Sequence, residues 1–183
     1  WPEKAKRIYF MLSDKGQKYE RSKDQKSMKP AGKVARFTPV ALTGAELEIG
    51  GETYVEALEG FWLRTKQGAL TEAGTRPADV GASERWMYVD LSSRTLILFE
   101  GDTPKYAALM SPGKTSRNKK KDHRTPTGAW RIREKHIAVT MDGDGAAGDL
   151  PYSIEDVPFV AYFKGSYALH GAFWHNNFGR EMS

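Results

Sequence analysis

Apolar residues in this chain come in short runs, and most of them alternate with polar ones. Residues 8–12 (Ile8 to Leu12) predict a first strand. Residues 13–33 are rich in Lys, Asp, Ser and Gln and predict an exposed loop or hairpin. Residues 34–38 predict a strand ended by Pro39. Residues 46–49 alternate, Gly50 and Gly51 supply a tight turn, and residues 53–55 return, so a hairpin is expected there. Residues 60–64 (Gly-Phe-Trp-Leu-Arg) add another short strand. Several short strands joined by Gly turns predict a small β-barrel.

Residues 70–83 carry Gly, Pro, Thr and Ala with little apolar periodicity and read as a linker. A domain boundary is therefore expected near residue 82, dividing the chain into 1–82 and 83–183. Beyond it, residues 86–89, 95–99 and 106–110 predict a β-meander turning at Asp90 to Arg94 and at Gly101-Asp102. Residues 129–132 and 137–139 predict two more strands. Residues 158–163 and 167–169 predict a hairpin around Lys164, Gly165 and Ser166. No long amphipathic helix and no internal repeat is evident. The fold class is mainly β.

Composition narrows the chemistry. The 183 residues hold 28 Lys and Arg against 23 Asp and Glu, a formal charge of +5, which suits an anionic partner as well as ordinary solubility. There is no cysteine, hence no disulfide framework, no thiolate metal site and no thiol nucleophile within these residues. No apolar run is long enough to span a membrane. A chain beginning Trp1-Pro2 without Met reads as processed, with any signal peptide already removed.

Several site motifs fail on a named residue. Pro112-Gly113-Lys114-Thr115 suggests a phosphate loop, but that loop needs Gly where Ala108 stands, so nucleotide binding is not expected. Nor is a nucleic-acid partner expected. Asp142, Asp144 and Asp149 suggest calcium, but Ala146 and Ala147 occupy the fifth and sixth loop positions; a loop beside a groove is the expectation. His123, His136, His170 and His175 have no zinc-site spacing. No Gly-x-Ser-x-Gly elbow is present. No metal and no cofactor is expected.

One set of motifs survives. Tyr88-Val89-Asp90-Leu91 with residues 96–99 makes an opening hairpin. Ser111-Pro112-Gly113-Lys114 is followed by a basic loop and then Thr125-Pro126-Thr127-Gly128. Residues 157–171 end in Leu169-His170-Gly171. Together and in this order, these segments resemble the L,D-transpeptidase (YkuD-like) family over about residues 86–183. That family's signature is a His, a dozen or more residues, then Ser/Thr-His-Gly-Cys. His170 and Ser183 match its first His and its Ser, and the resemblance places the nucleophilic Cys just after Ser183. Residues 60–64 are similar to the closing strand of bacterial SH3-like wall modules.

The resemblance implies a YkuD-like β-sandwich following the SH3-like module. It implies a Cys/His acyl transfer on peptidoglycan stem peptides that forms 3→3 cross-links. His170 would be the base, with the Gly171 carbonyl orienting its ring. Trp174 is either a groove-lining or a packing aromatic. His175 and Asn176 either bind the stem peptide or belong to a polar turn. Thr127 is scaffold or groove wall, and Ser183 positions the following loop. Carbapenem-type β-lactams are the implied inhibitors, the periplasm or cell wall the implied location, and a monomer the expected state. With water as acceptor the same site would be an L,D-carboxypeptidase. Without the Cys the chain would be a peptidoglycan-binding protein.

Overall fold

The computed structural model describes residues 1–118, 122–142 and 153–182. Lys119, Lys120 and Lys121 of the basic loop, Asp144 and Asp149 of the acidic loop, and Ser183 lie outside the described residues. The described chain is mainly β, with no α-helix and a single 3₁₀ turn at Thr65–Gln67. It divides into two compact units, Trp1–Met110 and Ser111–Ser183.

In the first unit seven strands form one antiparallel sheet. They are β1 (Arg7–Met11), β2 (Gln17–Arg21), β3 (Met28–Lys33), β4 (Pro39–Ile49), β5 (Glu52–Ala57), β6 (Trp62–Arg64) and β7 (Gly68–Leu70). Their order is β3-β2-β6-β5-β4-β1-β7. Alternation along β1 explains its central place. Tyr9 and Met11 enter one buried cluster with Val40, Leu42, Val55, Ala57 and Leu63. Ile8 and Phe10 point the other way and form a second cluster with Ala5. Tyr9 is fully buried, and its hydroxyl donates to the Arg64 carbonyl at 3.0 Å. Burial, with Tyr19 nearby, raises its phenol well above the usual range.

The sheet does not close. The barrel expected from the sequence is replaced by an open sheet edged by β3 and β7. Strand β3 suits an edge: Pro30 has no N–H to offer a further neighbour, and the strand is almost wholly exposed. A second correction falls on residues 34–38, which form a turn and not a strand. There the Val34 N–H bonds to Gly16, the Phe37 N–H to Met11, and Phe37 has φ 67°. A Cβ on Gly16 would overlap the Val34 carbonyl oxygen, so this close crossing excludes larger residues. Sequence alternation alone does not reveal such a crossing.

The meander is as expected: β8 (Arg85–Asp90), β9 (Thr95–Glu100) and β10 (Thr103–Leu109), in the order β10-β9-β8. Ala107 and Leu109 of β10 pack on the Ala5–Ile8–Phe10 cluster. Residues 72–84 have no regular structure but are held in place, with Arg76 bonded to Asp102 at 2.8 Å. These contacts carry the first compact unit past the composition shift near residue 82.

The second unit contains β11 (Glu134–Asp142), β12 (Ser153–Lys164) and β13 (Tyr167–Leu169), ordered β11-β12-β13. The β12–β13 hairpin turns at the expected residues. Residues 129–132 are not a strand, a third correction. Instead Trp130 packs on Phe163, with ring centroids 5.5 Å apart, and the Lys164 ammonium lies 5.1 Å from its ring. Side-chain packing holds this segment where a ladder was expected.

Candidate active site

Strand β13 is three residues long and ends at Leu169, so His170 is the first residue past the ladder. Its imidazole is exposed. Nδ1 lies 3.0 Å from the carbonyl oxygen of Gly171. That carbonyl accepts only if Nδ1 bears the proton, which leaves the Nε2 lone pair free to take a proton from a partner. Among the described residues no carboxylate hydrogen-bonds to this ring.

Gly171 is held in turn from β12. Its N–H donates to the Pro158 carbonyl at 2.8 Å. A Cβ at position 171 would lie 2.8 Å from the Pro158 ring, so the two backbones approach as closely as they do because residue 171 has no side chain.

Trp174 stacks on His170, with centroids 5.6 Å apart and planes 24° from parallel. Phe173 meets Trp174 edge-on at 5.2 Å. His175 follows at 6.2 Å from Trp174 and 5.2 Å from Phe178. The His175 Nδ1 accepts the Asn177 N–H at 3.3 Å, so its ring is committed to local structure. Phe173 and Trp174 remain 65% and 40% exposed, leaving a partly open aromatic surface around His170.

Residues 177–182 are bound to the loop that begins the second unit. Ser111 Oγ donates to the Asn177 carbonyl at 3.4 Å, the Thr115 N–H to the Glu181 carboxylate at 3.2 Å, and the Met182 N–H to the Pro112 carbonyl at 2.8 Å. The same loop is fastened on another side, where the Gly113 N–H donates to Thr125 Oγ1 at 2.9 Å. Arg124 and the Ser116 N–H both bond Asp122. Burial pushes the Asp122 carboxyl up, but these hydrogen bonds prevail and hold it below the usual carboxylate range.

The structure thus brings His170, Gly171, Trp174 and His175 into one contiguous surface. Asn176 and Thr127 are exposed, and among the described residues neither hydrogen-bonds to His170. Sequence reasoning missed the Thr115–Glu181 bond and the Gly113–Thr125 clasp, which fasten the segment after His170. A proline inside β12 was the one available signal for the Pro158–Gly171 contact. Among the described residues no three His, Asp or Glu side chains converge to hold a metal, and no helix is long and apolar enough to cross a membrane.

The arrangement defines a class: a β-sheet protein that presents an exposed histidine oriented by main chain. The L,D-transpeptidase catalytic domain (YkuD) matches residues 84–183, more than half of the chain, and the chain belongs to that family. No curated protein and no solved structure matches it.

Proposed function

We propose that the protein is a peptidoglycan L,D-transpeptidase that forms 3→3 cross-links through a Cys/His pair. The observation that carries this reading is the His170–Gly171 geometry, lying within the segment that matches the family. With Nδ1 committed to the Gly171 carbonyl, Nε2 takes the proton of a cysteine thiol supplied just beyond Ser183. The thiolate attacks the carbonyl of the third stem residue, a diamino acid, and terminal D-Ala departs with a proton from His170. The acyl group remains on sulfur as a thioester. His170 then removes a proton from the side-chain amine of a neighbouring stem, which attacks the thioester and regenerates the thiol. Backbone N–H groups of the His-Gly-Cys turn would hold the oxyanion.

Trp174 walls the groove in this reading, with His175, Asn176, Thr127 and Ser183 placed around the stem. In the same reading residues 1–82 hold the wall polymer, and residues 83–183 are the catalytic domain. The reaction belongs outside the cytoplasmic membrane, and carbapenems would acylate the cysteine.

The test is a protein carrying this chain through the His-Gly-Cys motif, incubated with tetrapeptide-bearing disaccharide units. Mass spectrometry should show D-Ala release and 3→3 dimers, and His170→Ala should abolish both while the fold is kept. D-Ala release without dimers identifies an L,D-carboxypeptidase. A residue other than Cys in the motif leaves a peptidoglycan-binding protein.

A further inference from the structure

We propose that Phe159 is a substrate-contacting residue, the apolar wall against which the acyl-donor peptide lies as it reaches His170. The inference rests on the proposed function and gives a role to a residue that the resemblance leaves without one.

The geometry begins with a mismatch in the β12–β13 ladder. Ala161 pairs with Leu169, and the next bond on that side joins the Gly171 N–H to the Pro158 carbonyl. Between those two links β12 has two residues, Phe159 and Val160, and the other strand has one, His170. Two residues opposite one constitute a β-bulge, a device that re-aims side chains and recurs beside active sites. In the common form with a left-handed first residue, that residue is glycine. Here it is Phe159, at φ 55°. An aromatic side chain in the left-handed region is a conformational outlier.

Burial does not offset that strain. Phe159 is 76% exposed, whereas Val157 and Val160 on either side are 0% and 1% exposed. The strand is therefore anchored at both valines, and the bulge turns the one large apolar side chain between them outward. Across the β11–β12 ladder, the pairs His136↔Val160 and Ala138↔Pro158 place Ile137 opposite Phe159. Ile137 is 85% exposed, which extends the apolar surface by one strand. Single exposed apolar residues are ordinary on protein surfaces. A strained one, opposite the base and one residue from the carbonyl that holds Gly171, is consistent with retention for contact with a ligand at that base.

The occupant follows from position. Along the backbone Phe159 and Val160 stand opposite His170, the residue at which the proposed reaction puts the diamino acid–D-Ala bond. The methylene chain of the diamino acid and the D-Ala methyl are the apolar parts of that ligand. Phe159 offers them a flat apolar face and leaves the charged ends in water.

The experiment uses the chain itself and the tetrapeptide stem ending in diamino acid–D-Ala, with binding followed by amide NMR and stability by thermal melting. Phe159→Gly restores the residue the bulge prefers, so its Tm should equal or exceed the parent's while the Kd rises about tenfold. Phe159→Ala should weaken binding similarly, and Phe159→Tyr should bind within about twofold of the parent. Unchanged binding by Phe159→Gly overturns the inference and leaves the His170 reading standing. A lowered Tm with unchanged Kd in both the Gly and Ala variants also overturns it, by assigning Phe159 a structural role. If the parent chain does not bind the tetrapeptide while correctly folded, the inference falls together with the function it rests on.

Discussion

His170 is oriented by its own neighbour: its Nδ1 stands 3.0 Å from the carbonyl oxygen of Gly171. A main-chain acceptor adds no formal charge beside the ring. It selects a tautomer without adding an anionic partner to the ring. The expected tautomer carries the proton on Nδ1. Long-range ¹⁵N–¹H correlation spectra of the neutral ring should show it. A proton on Nε2 would mean that the free nitrogen is the one beside Gly171, and the base would then face the main chain.

Gly171 has two tasks, to offer its carbonyl and to keep clear of Pro158. Gly171→Ala puts a methyl 2.8 Å from the Pro158 ring and 3.3 Å from its carbonyl oxygen. The ring or the backbone must yield, for a loss of about 1–3 kcal/mol in denaturant unfolding. The displaced carbonyl should also release the His170 ring, visible as a mixture of tautomers. A fixed tautomer in a destabilised variant would separate the two tasks and show that the carbonyl is not what holds the ring.

Trp174 lies on one face of the imidazole. Its side chain is 40% exposed, so Trp174→Ala should destabilise the fold by only about 0.5–1.5 kcal/mol, the range for an aromatic contact. In the nucleophile-bearing protein the expected change is a fall of about tenfold in acyl transfer, largely recovered by Trp174→Phe. Equal activity in all three proteins would make Trp174 a packing residue.

The legible and illegible parts of this chain differ in physical kind. The β4–β5 and β12–β13 hairpins and the meander were legible because alternation and Gly-rich turns are local signals. Membership of the family was legible because Leu169-His170-Gly171 and Thr125-Pro126-Thr127-Gly128 occur in order. Residues 34–38 were misread because Val34 and Phe37 form their backbone bonds with Gly16 and Met11, partners that alternation does not name. Residues 129–132 were misread because Trp130 docks on Phe163 and Lys164 without joining a ladder. The sheet of the first unit is open with Pro30 on its edge strand, and an edge is a property of strand order that local alternation does not carry. Phe159 escaped notice for a similar reason: its bulge exists only once Pro158 meets Gly171.

Acid should weaken the turn between β8 and β9. Asp90 accepts the Ser92 N–H at 2.9 Å and the Ser92 and Ser93 hydroxyls at 2.6 Å each. Partial burial pushes its carboxyl up, but these hydrogen bonds outweigh that and hold it below the ordinary carboxylate value. A folded value below the unfolded one contributes stability that is fully present above the unfolded value, about 3.9, and is lost as pH falls through the folded value. Thermal melting should therefore show a smaller loss of Tm below about pH 4 for Asp90→Asn than for the parent. Parallel pH profiles would place the acid sensitivity in other carboxylates.

The loop from Ser111 to Thr115 is fixed on two sides, and Gly113 is where the two meet. Its N–H reaches Thr125 Oγ1, and a Cβ there would overlap the His123 carbonyl oxygen. Its neighbours Pro112 and Thr115 bond Met182 and Glu181. A methyl at Gly113 must push the loop away from residues 123–125, and the loop carries the 177–182 segment with it. Gly113→Ala should destabilise the protein by about 1–3 kcal/mol. Thr125→Val removes only the hydroxyl acceptor and should destabilise it by about 1 kcal/mol. Both should slow acyl transfer by the nucleophile-bearing protein more than they weaken tetrapeptide binding, because the loop seats the segment leading into Ser183 and leaves Phe159 untouched. Hydrogen exchange at the Thr115 and Met182 amides should accelerate in the same variants. Protection of those two amides unchanged in a destabilised Gly113→Ala would show that the clasp serves the loop alone and does not seat the segment that follows His170.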